Sequence, residues 1–467
     1  MSNVKKNLIY SFLYQVLTII LPMITTPYIS RILGAEGIGQ YSFQRSIAAY
    51  FVLFGMLGFN NYGNRTIAAC RDNIELRRTT FFEIYFLQLL TTGLASALYA
   101  FWCYFFSNDV LSWIFLVYVL SASLDINWFF NGIEKFKLTV TRSIIVRIVS
   151  TLIVFGLVKE KNDIPLYAGI IITSTVASNI LLWPFLRKNG VFYTKVAWAR
   201  MRKHLKPVLI LFLPTIAVSV YKLMDKIMLG FLAPISEVGF YENSEKFIQV
   251  PNGFVVALGA VMLPRISNLT ANNEKDPISR YYYRSVWITM LAMTPISLGI
   301  IAVADELVPL FFGQGYQKCI EILKILMPSC IIVGISTIVR TQCLLPNKRD
   351  KQYVLAVCFG AMVNIILNLI FIRLLGSIGA AIGTLFAEFA VCCVQLLSCR
   401  RDISIRTTIE ISLPFVIVGY IMYFSITNIH FELSSFWDLT TRILIGGLMY
   451  VVMAIPVAYH QHKKILN

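Results

Sequence analysis

The sequence predicts an all-α, polytopic membrane protein of fourteen transmembrane helices, built as two six-helix lobes in parallel repeat plus two C-terminal helices. Three observations carry that expectation. Of the 467 residues, 57% are hydrophobic and only 14% are charged, whereas a soluble globular protein carries about 25% charged residues. The shortage runs along the whole chain, so no single apolar core accounts for it. Apolar runs long enough to cross a bilayer, about 20 residues each, recur along the entire length. Finally, Lys and Arg concentrate in every second loop between those runs, the pattern of cytoplasmic loops.

The runs centre on residues 8–30, 39–60, 81–106, 110–130, 143–158, 165–186, 207–230, 240–263, 284–304, 320–340, 352–373, 375–398, 409–428 and 439–459. The fifth is short and the eighth opens on charged residues. The first is too long for the apolar region of a signal peptide and lacks a small-residue cleavage site, so it reads as the first membrane helix. With the N-terminus inside, the inner loops hold Arg65, Arg71, Arg77 and Arg78, then Lys135, Lys137 and Arg142, then seven basic residues from Arg187 to Lys206. The outer loops hold few, chiefly Arg31, Lys159, Lys161, Lys318 and Arg373. One missed helix would invert every later loop. The alternation therefore supports the count and predicts a multi-pass protein with both termini cytoplasmic. These loops also absorb the net charge of +17, which in a soluble protein would suggest nucleic acid; no nucleic-acid partner is expected.

The predicted organisation is an N-terminal lobe at 1–186, a basic cytoplasmic linker at 187–206, a C-terminal lobe at 207–399, and helices 13 and 14 with a tail at 400–467. The linker is amphipathic, with Phe192 and Trp198, and anionic lipid would hold it at the inner surface. No outer loop exceeds about 15 residues. A catalytic extramembrane domain has nowhere to sit, and an enzyme is not expected. The parallel repeat rests on "GIGQYSF" at 37–43 and "EVGFYEN" at 237–243, which share Gly39/Gly239 and Tyr41/Tyr241 at an offset of 200. Each follows an odd-numbered helix, so helices 1–6 and 7–12 have equivalent orientation. Such repeats recur in transporters, with the substrate site between lobes. The nine cysteines include no CxxC pair and no His partner at metal spacing. They read as small buried hydrophobes in reducing surroundings, with no metal or cofactor expected.

Charges inside apolar runs are the functional candidates, because they are costly there. In "YKLMDKIMLG" at 221–230, Lys222, Asp225 and Lys226 fall at i, i+3 and i+4 and share one helical face. Counting from the outer end of helix 7 near Gly230, Lys226 lies about 6 Å and Lys222 about 12 Å inside. Helix 2 runs inward from Gly39 and places Arg45 about 9 Å deep, with Glu245 and Lys246 of helix 8 at a similar depth. If the repeat holds, Arg31, Arg45, Lys222, Asp225, Lys226 and Lys246 form a cationic set in the outer half of a cavity between lobes. The structural alternatives are specific. Arg31 can snorkel to the outer surface, Asp225 can neutralise Lys222 or Lys226, and Lys246 can pair with Glu242 one turn earlier. Arg45 has no acid within one turn and Lys222 lies deepest, so these two favour substrate contact. Glu388, near the middle of helix 12, can carry a coupling proton or make an interhelical hydrogen bond; it follows the small-residue run "GSIGAAIG", which permits close helix packing. Pro22, Pro27 and Pro214 are expected kinks.

The motifs "LPMITTPYISRILGAEGIGQYSF" (21–43), "NNYGNRTIA" (60–68), "DINWFFNGIEKFK" (125–137), "DKIMLG" (225–230), "EVGFYENSEKF" (237–247) and "FFGQGY" (311–316) together resemble the bacterial polysaccharide flippases. These are the Wzx-type O-antigen and capsule repeat-unit transporters of the multidrug/oligosaccharidyl-lipid/polysaccharide exporter superfamily. The resemblance covers helices 1–12. It implies a two-lobed bundle with a V-shaped central cavity, whose cationic character falls here on Arg31, Arg45, Lys222, Asp225, Lys226 and Lys246. It also implies an undecaprenyl-diphosphate-linked oligosaccharide as substrate, moved across the bacterial cytoplasmic membrane for O-antigen, capsule or exopolysaccharide synthesis. A polysaccharide polymerase and glycosyltransferases are the associated partners. Coupling to Na⁺ or H⁺ is open. A cation exporter of the same superfamily should carry an acidic cavity, which the basic set disfavours; a peptidoglycan-precursor flippase shares the helix count and the cationic cavity. A membrane glycosyltransferase or polymerase should show a large outer loop with catalytic groups, and none is present.

Overall fold

The computed structural model describes residues 3–107, 109–272, 274–429 and 434–466; the side chains of 3–16, 19, 213, 214, 217, 218, 220–222, 275, 276 and 462–466 lie outside the described set. Among the described residues all regular structure is helical, with no strand. That is the solution hydrocarbon enforces, since a helix satisfies its backbone polar groups internally. The chain divides into two compact units, Met1–Ile227 and Met228–Asn467.

The first unit contains α1 (Asn3–Met56), α2 (Phe59–Ala69), α3 (Ile74–Trp102), α4 (Val110–Ser121), α5 (Asn127–Gly132), α6 (Phe136–Leu157), α7 (Ile164–Ile180), α8 (Trp183–Lys188) and most of α9 (Trp198–Leu232). The second contains α10 (Ile235–Ala271), α11 (Lys275–Ala302), α12 (Ala304–Phe312), α13 (Lys318–Val339), α14 (Asp350–Leu375), α15 (Ser377–Ser398), α16 (Ile405–Thr427) and α17 (Ser435–Leu466). The protein is a multi-pass membrane protein. Among the described residues eleven helical stretches are long and apolar enough to cross a bilayer. They coincide with the third to sixth and eighth to fourteenth apolar runs. The first two runs fall in α1 and the seventh in α9, both of which include side chains outside the described set.

α1 is two helices joined at Gly34, which adopts φ 68° and ψ 176°, a combination open essentially to glycine. Helical dihedrals run through Pro22 and Pro27 and break only at Gly34, so the expected loop is a single-residue corner. Pro214 lies outside the described side chains. The short fifth run becomes the 22 residues of α6, because the polar turn Phe136–Arg142 is helical too. The eighth grows to the 37 residues of α10 and takes in its charged start. Of the expected linker, only residues 189–197 are non-helical; the remainder belongs to α8 and α9.

Loop contacts sort each unit into two ends. In the first unit Arg71 meets Glu134 at 2.7 Å, while Asn189 accepts from Arg77 at 2.6 Å and Lys135 at 2.5 Å. The opposite end joins Tyr28 Oη to the Val158 carbonyl at 2.8 Å and Lys161 to Glu36 at 3.3 Å. There Asp163 accepts from the backbone N–H groups of Lys159 and Glu160, which hold its carboxyl below the usual carboxylate range. In the second unit Arg349 grips Asp402 at one end, while Glu237 meets Lys318 and Ser377 at another set of loops. Loops that the charge count put on one side thus meet one another, as alternating helix direction requires.

Interior packing follows residue size. In the first unit Trp128, Phe129 and Phe130 pack with Phe59, Phe81 and Ile84. The buried Gln88 accepts from Trp128 Nε1 at 2.9 Å and donates to the carbonyls of Ala122 and Asp125, also at 2.9 Å. In the second unit the small-residue run 376–383 lets α15 approach α14 closely. A Cβ added at Gly379 would lie 2.1 Å from the Phe371 carbonyl oxygen. Backbone cannot yield as a side-chain tip can, so Gly379→Val should destabilise by about 3 kcal/mol. Gly447→Ala, in open space, should be neutral or slightly stabilising. Thermal unfolding in detergent measures both; equal midpoints would refute the close-packing account.

Candidate substrate site

α9 is helical without interruption from Trp198 to Leu232, so positions 222, 225 and 226 share one face, as expected. Asp225 is buried at 4% exposure and Lys226 is half-buried. The side chain of Lys222 lies outside the described residues. Ile227, the next residue, packs on a cluster that includes Tyr41, Ile47 and Ala48 of α1. The same cluster draws on α3, α4 and α7, so this end of α9 is packed into the first unit. Arg45 is exposed, and so is Arg31 on the other side of the Gly34 corner; both side chains turn away from the packed interior. Next to Arg45, Gln44 donates to Ser107 at 3.4 Å.

In the second unit Lys246 is half-buried on α10 and donates to Asn243 Oδ1 at 3.2 Å, one turn earlier. Glu388 is half-buried on α15. Arg31, Arg45, Asp225, Lys226, Lys246 and Glu388 each take part in a further polar or electrostatic interaction, so none stands as a bare charge. Arg45, Asp225 and Lys226 thus belong to the first unit, while Lys246 and Glu388 lie on separate helices of the second. Cations outnumber anions among the six proposed cavity positions, a balance suited to an anionic ligand.

Other polar and charged groups are locked in networks, and the sequence did not single them out. Arg442 is 1% exposed. It pairs with Glu306, lies 3.7 Å from Asp438, and donates to the carbonyls of Ala302 and Ile426 at 3.1 Å each. Glu237 accepts from Lys318 at 2.7 Å and from the Ser377 N–H at 2.8 Å. His204 joins Tyr62 at 2.6 Å to Glu83 at 2.9 Å, tying α9 to α2 and α3. Of these charged groups only Arg442 and Glu83 lie inside apolar runs, and that signal does not reveal a partner far away in sequence.

The family described as polysaccharide biosynthesis protein matches residues 4–270, more than half the chain. The chain belongs to that family. The resemblance of its motifs to the polysaccharide flippases is thereby borne out. It is similar to a protein named "Putative O-antigen transporter" from Escherichia coli (strain K12), 25% identical over 407 residues, covering 86% of this chain and 97% of the relative. It is also similar to "Lipid II flippase MurJ" from Thermosipho africanus, 28% identical over 221 residues, 46% of this chain and 44% of the relative. Among solved structures, an inward closed conformation of the lipid II flippase MurJ aligns with a TM-score of 0.75 at 18% identity, covering 96% of this chain and 97% of that one. That likeness establishes the fold.

The two kinds of charge respond differently to mutation. Arg442→Met strands Glu306 and Asp438, and should cost about 3–5 kcal/mol. Arg31→Ala and Arg45→Ala should each change stability by less than about 0.5 kcal/mol. Thermal unfolding of the purified variants separates them; a large loss for Arg45→Ala would make it a structural residue.

Proposed function

We propose that this protein is a flippase. It would carry an undecaprenyl-diphosphate-linked oligosaccharide repeat unit from the cytoplasmic to the outer leaflet of the bacterial cytoplasmic membrane, by alternating access of lobes 1–186 and 207–399 around a cationic central cavity. The observation that carries this reading is the end-to-end similarity to a relative named for O-antigen transport, 97% of whose length is covered. The charge chemistry supports it. A diphosphate loses its hydration in hydrocarbon and cannot cross unaided. Arg31, Arg45, Lys222, Lys226 and Lys246 would replace that hydration, the arginines through bidentate hydrogen bonds. Asp225 would hold the lysines of its own helix face in place. The sugars would fill the polar cavity while the polyprenyl tail stays in lipid.

Outward movement of the anion runs down the membrane potential, worth about 2.3 kcal/mol per charge per 100 mV when no compensating charge travels with it. Return of Na⁺ or H⁺, the latter on Glu388, is the alternative drive, and removal of product by a polysaccharide polymerase would pull the cycle by mass action. The runner-up is flipping of a peptidoglycan precursor, supported by the partial similarity to a relative named lipid II flippase MurJ. A cation exporter ranks lower because the intramembrane set leans basic.

Deletion of the gene followed by extraction of lipid-linked oligosaccharide tests the reading. The oligosaccharide should accumulate facing the cytoplasm, and Arg45→Ala or Lys222→Ala, expressed at normal levels, should fail to restore export. Full restoration by both would remove these residues from the substrate site. Rescue of cells depleted of their peptidoglycan-precursor flippase would move the assignment to the runner-up.

A further inference from the structure

The segment after α13 and the turn after α15 bring together two thiols and a carboxylate that lie far apart in sequence. The sulfur atoms of Cys343 and Cys399 and a carboxylate oxygen of Asp402 all lie within 4.8 Å of one another; Cys343 Sγ and Asp402 Oδ2 are 3.8 Å apart. Both thiols are buried, at 2% and 0% exposure. Both supporting segments are pinned. Asp402 N–H closes a tight turn on the Cys399 carbonyl at 2.8 Å, and Asn347 Nδ2 donates to the Cys343 carbonyl at 2.7 Å. Arg349 grips the outer side of the carboxylate, with Nη1 at 2.5 Å from Oδ2 and Nη2 at 3.1 Å from Oδ1. The Arg349 and Asp402 side chains remain partly exposed, at 29% and 34%, so the group has a route to solvent.

We propose that Cys343, Cys399 and Asp402 form a binding site for a Zn²⁺-like divalent cation, with Arg349 as its positioning residue. Tetrahedral zinc takes thiolate at about 2.3 Å and carboxylate at about 2.0–2.2 Å, which sets ligand atoms roughly 3.5–3.8 Å apart. The observed spacing needs a contraction of at most about 1 Å. Two thiolates with a carboxylate suit a borderline-soft ion and disfavour Mg²⁺ or Ca²⁺, which take oxygen ligands. Binding releases both thiol protons to solvent. The charges then close: two thiolates and one carboxylate balance a divalent ion plus the Arg349 guanidinium, so a neutral cluster sits at the edge of the apolar region. Arg349 donates to both carboxylate oxygens; Oδ2, the one that faces Cys343 Sγ, keeps a second lone pair for the metal, so Arg349 orients this ligand as partners of metal ligands commonly do. The ion would join the end of α13 to the α15–α16 turn. This inference is independent of the transported substrate.

The test uses the full chain in detergent, reduced and stripped of metal, then titrated with Zn²⁺ alone and with Co²⁺ alone. Binding should reach about one ion per chain, and the cobalt form should show thiolate-to-metal charge transfer with tetrahedral d–d bands. Cys343→Ser and Cys399→Ser should each weaken Zn²⁺ binding by about tenfold or more and lower the charge-transfer band. Arg349→Ala should weaken binding about tenfold while leaving that band in place. A wild-type chain without a cobalt–thiolate band overturns the proposal whatever the variants do. So does an undiminished band in the Cys343→Ser/Cys399→Ser double variant, since the other seven cysteines would then be its source. A Cys343–Cys399 disulfide formed with a mild thiol oxidant, in a chain that takes up no metal when reduced, would replace the metal site by a redox pair.

Discussion

The cost of holding a charge in hydrocarbon, about 3 kcal/mol at a helix centre, governs what this chain does with its few ionisable residues. A structural charge must recover that cost from partners. Arg442 does so with Glu306, Asp438 and two carbonyls, and Glu237 does so with Lys318 and Ser377. These networks pin the α12–α13, α14–α15 and α16–α17 connections to their neighbours. His204 does the same for α9 against α2 and α3. Arg31 and Arg45 follow a different logic, because their side chains are exposed at the surface of the first unit and are not sunk in its core. Burial thus separates Arg442 and Glu237, which complete the fold, from Arg31 and Arg45, which face outward from it.

The same constraint explains the treatment of uncharged polar groups. Gln88 is fully buried and both ends of its amide are used, on Trp128 and on the carbonyls that begin the α4–α5 bend. The bend frees backbone groups at membrane depth, where an unsatisfied one is expensive; a single side chain closes them and fixes the "DINWFF" segment against α3. In the second unit, α14 and α15 meet through glycines, so that backbone lies almost on backbone. With lipid as solvent the attraction between helices comes from such packing, not from burial of apolar surface.

The apolar runs, the alternation of loops and the close-packed stretch 376–383 were legible because each is local: composition over about 20 residues, charge over a loop, small side chains along one face. The corner at Gly34 was half legible. "ILGAEG" read as a loop, but the alanine, glutamate and flanking apolar residues are compatible with helix, and one glycine was enough to turn the chain. Partnerships were not legible. Glu237 reaches Ser377 across 140 positions and Arg442 reaches Glu306 across 136, and no spacing rule covers such distances. Cys343, Cys399 and Asp402 failed for the same reason: metal spacing rules look for nearby ligands, and these come from two different helix ends. Of the candidate site, the shared face of 222, 225 and 226 and the kinship of the α1 motif were readable; the burial of Asp225 and the exposure of Arg45 were not.

A transporter must release what it binds, which limits how strong a cationic site can be. Five unopposed cations around a diphosphate in low dielectric would bind it strongly in either state, and only a difference in affinity between the two states can drive the switch and the release. On the proposed reading, the placement of Asp225 answers this. It is buried next to Lys226 in sequence, and the following Ile227 packs on the interior cluster of the first unit. A carboxylate fixed there lowers the local positive field whether or not substrate is present, and gives the lysines on its face a partner to return to. Lys246, with its hydrogen bond to Asn243, likewise has a neutral partner on its own helix. Binding then becomes an exchange of partners and not a capture of free charges, which lowers the free-energy difference between loaded and empty states that the membrane potential has to work against.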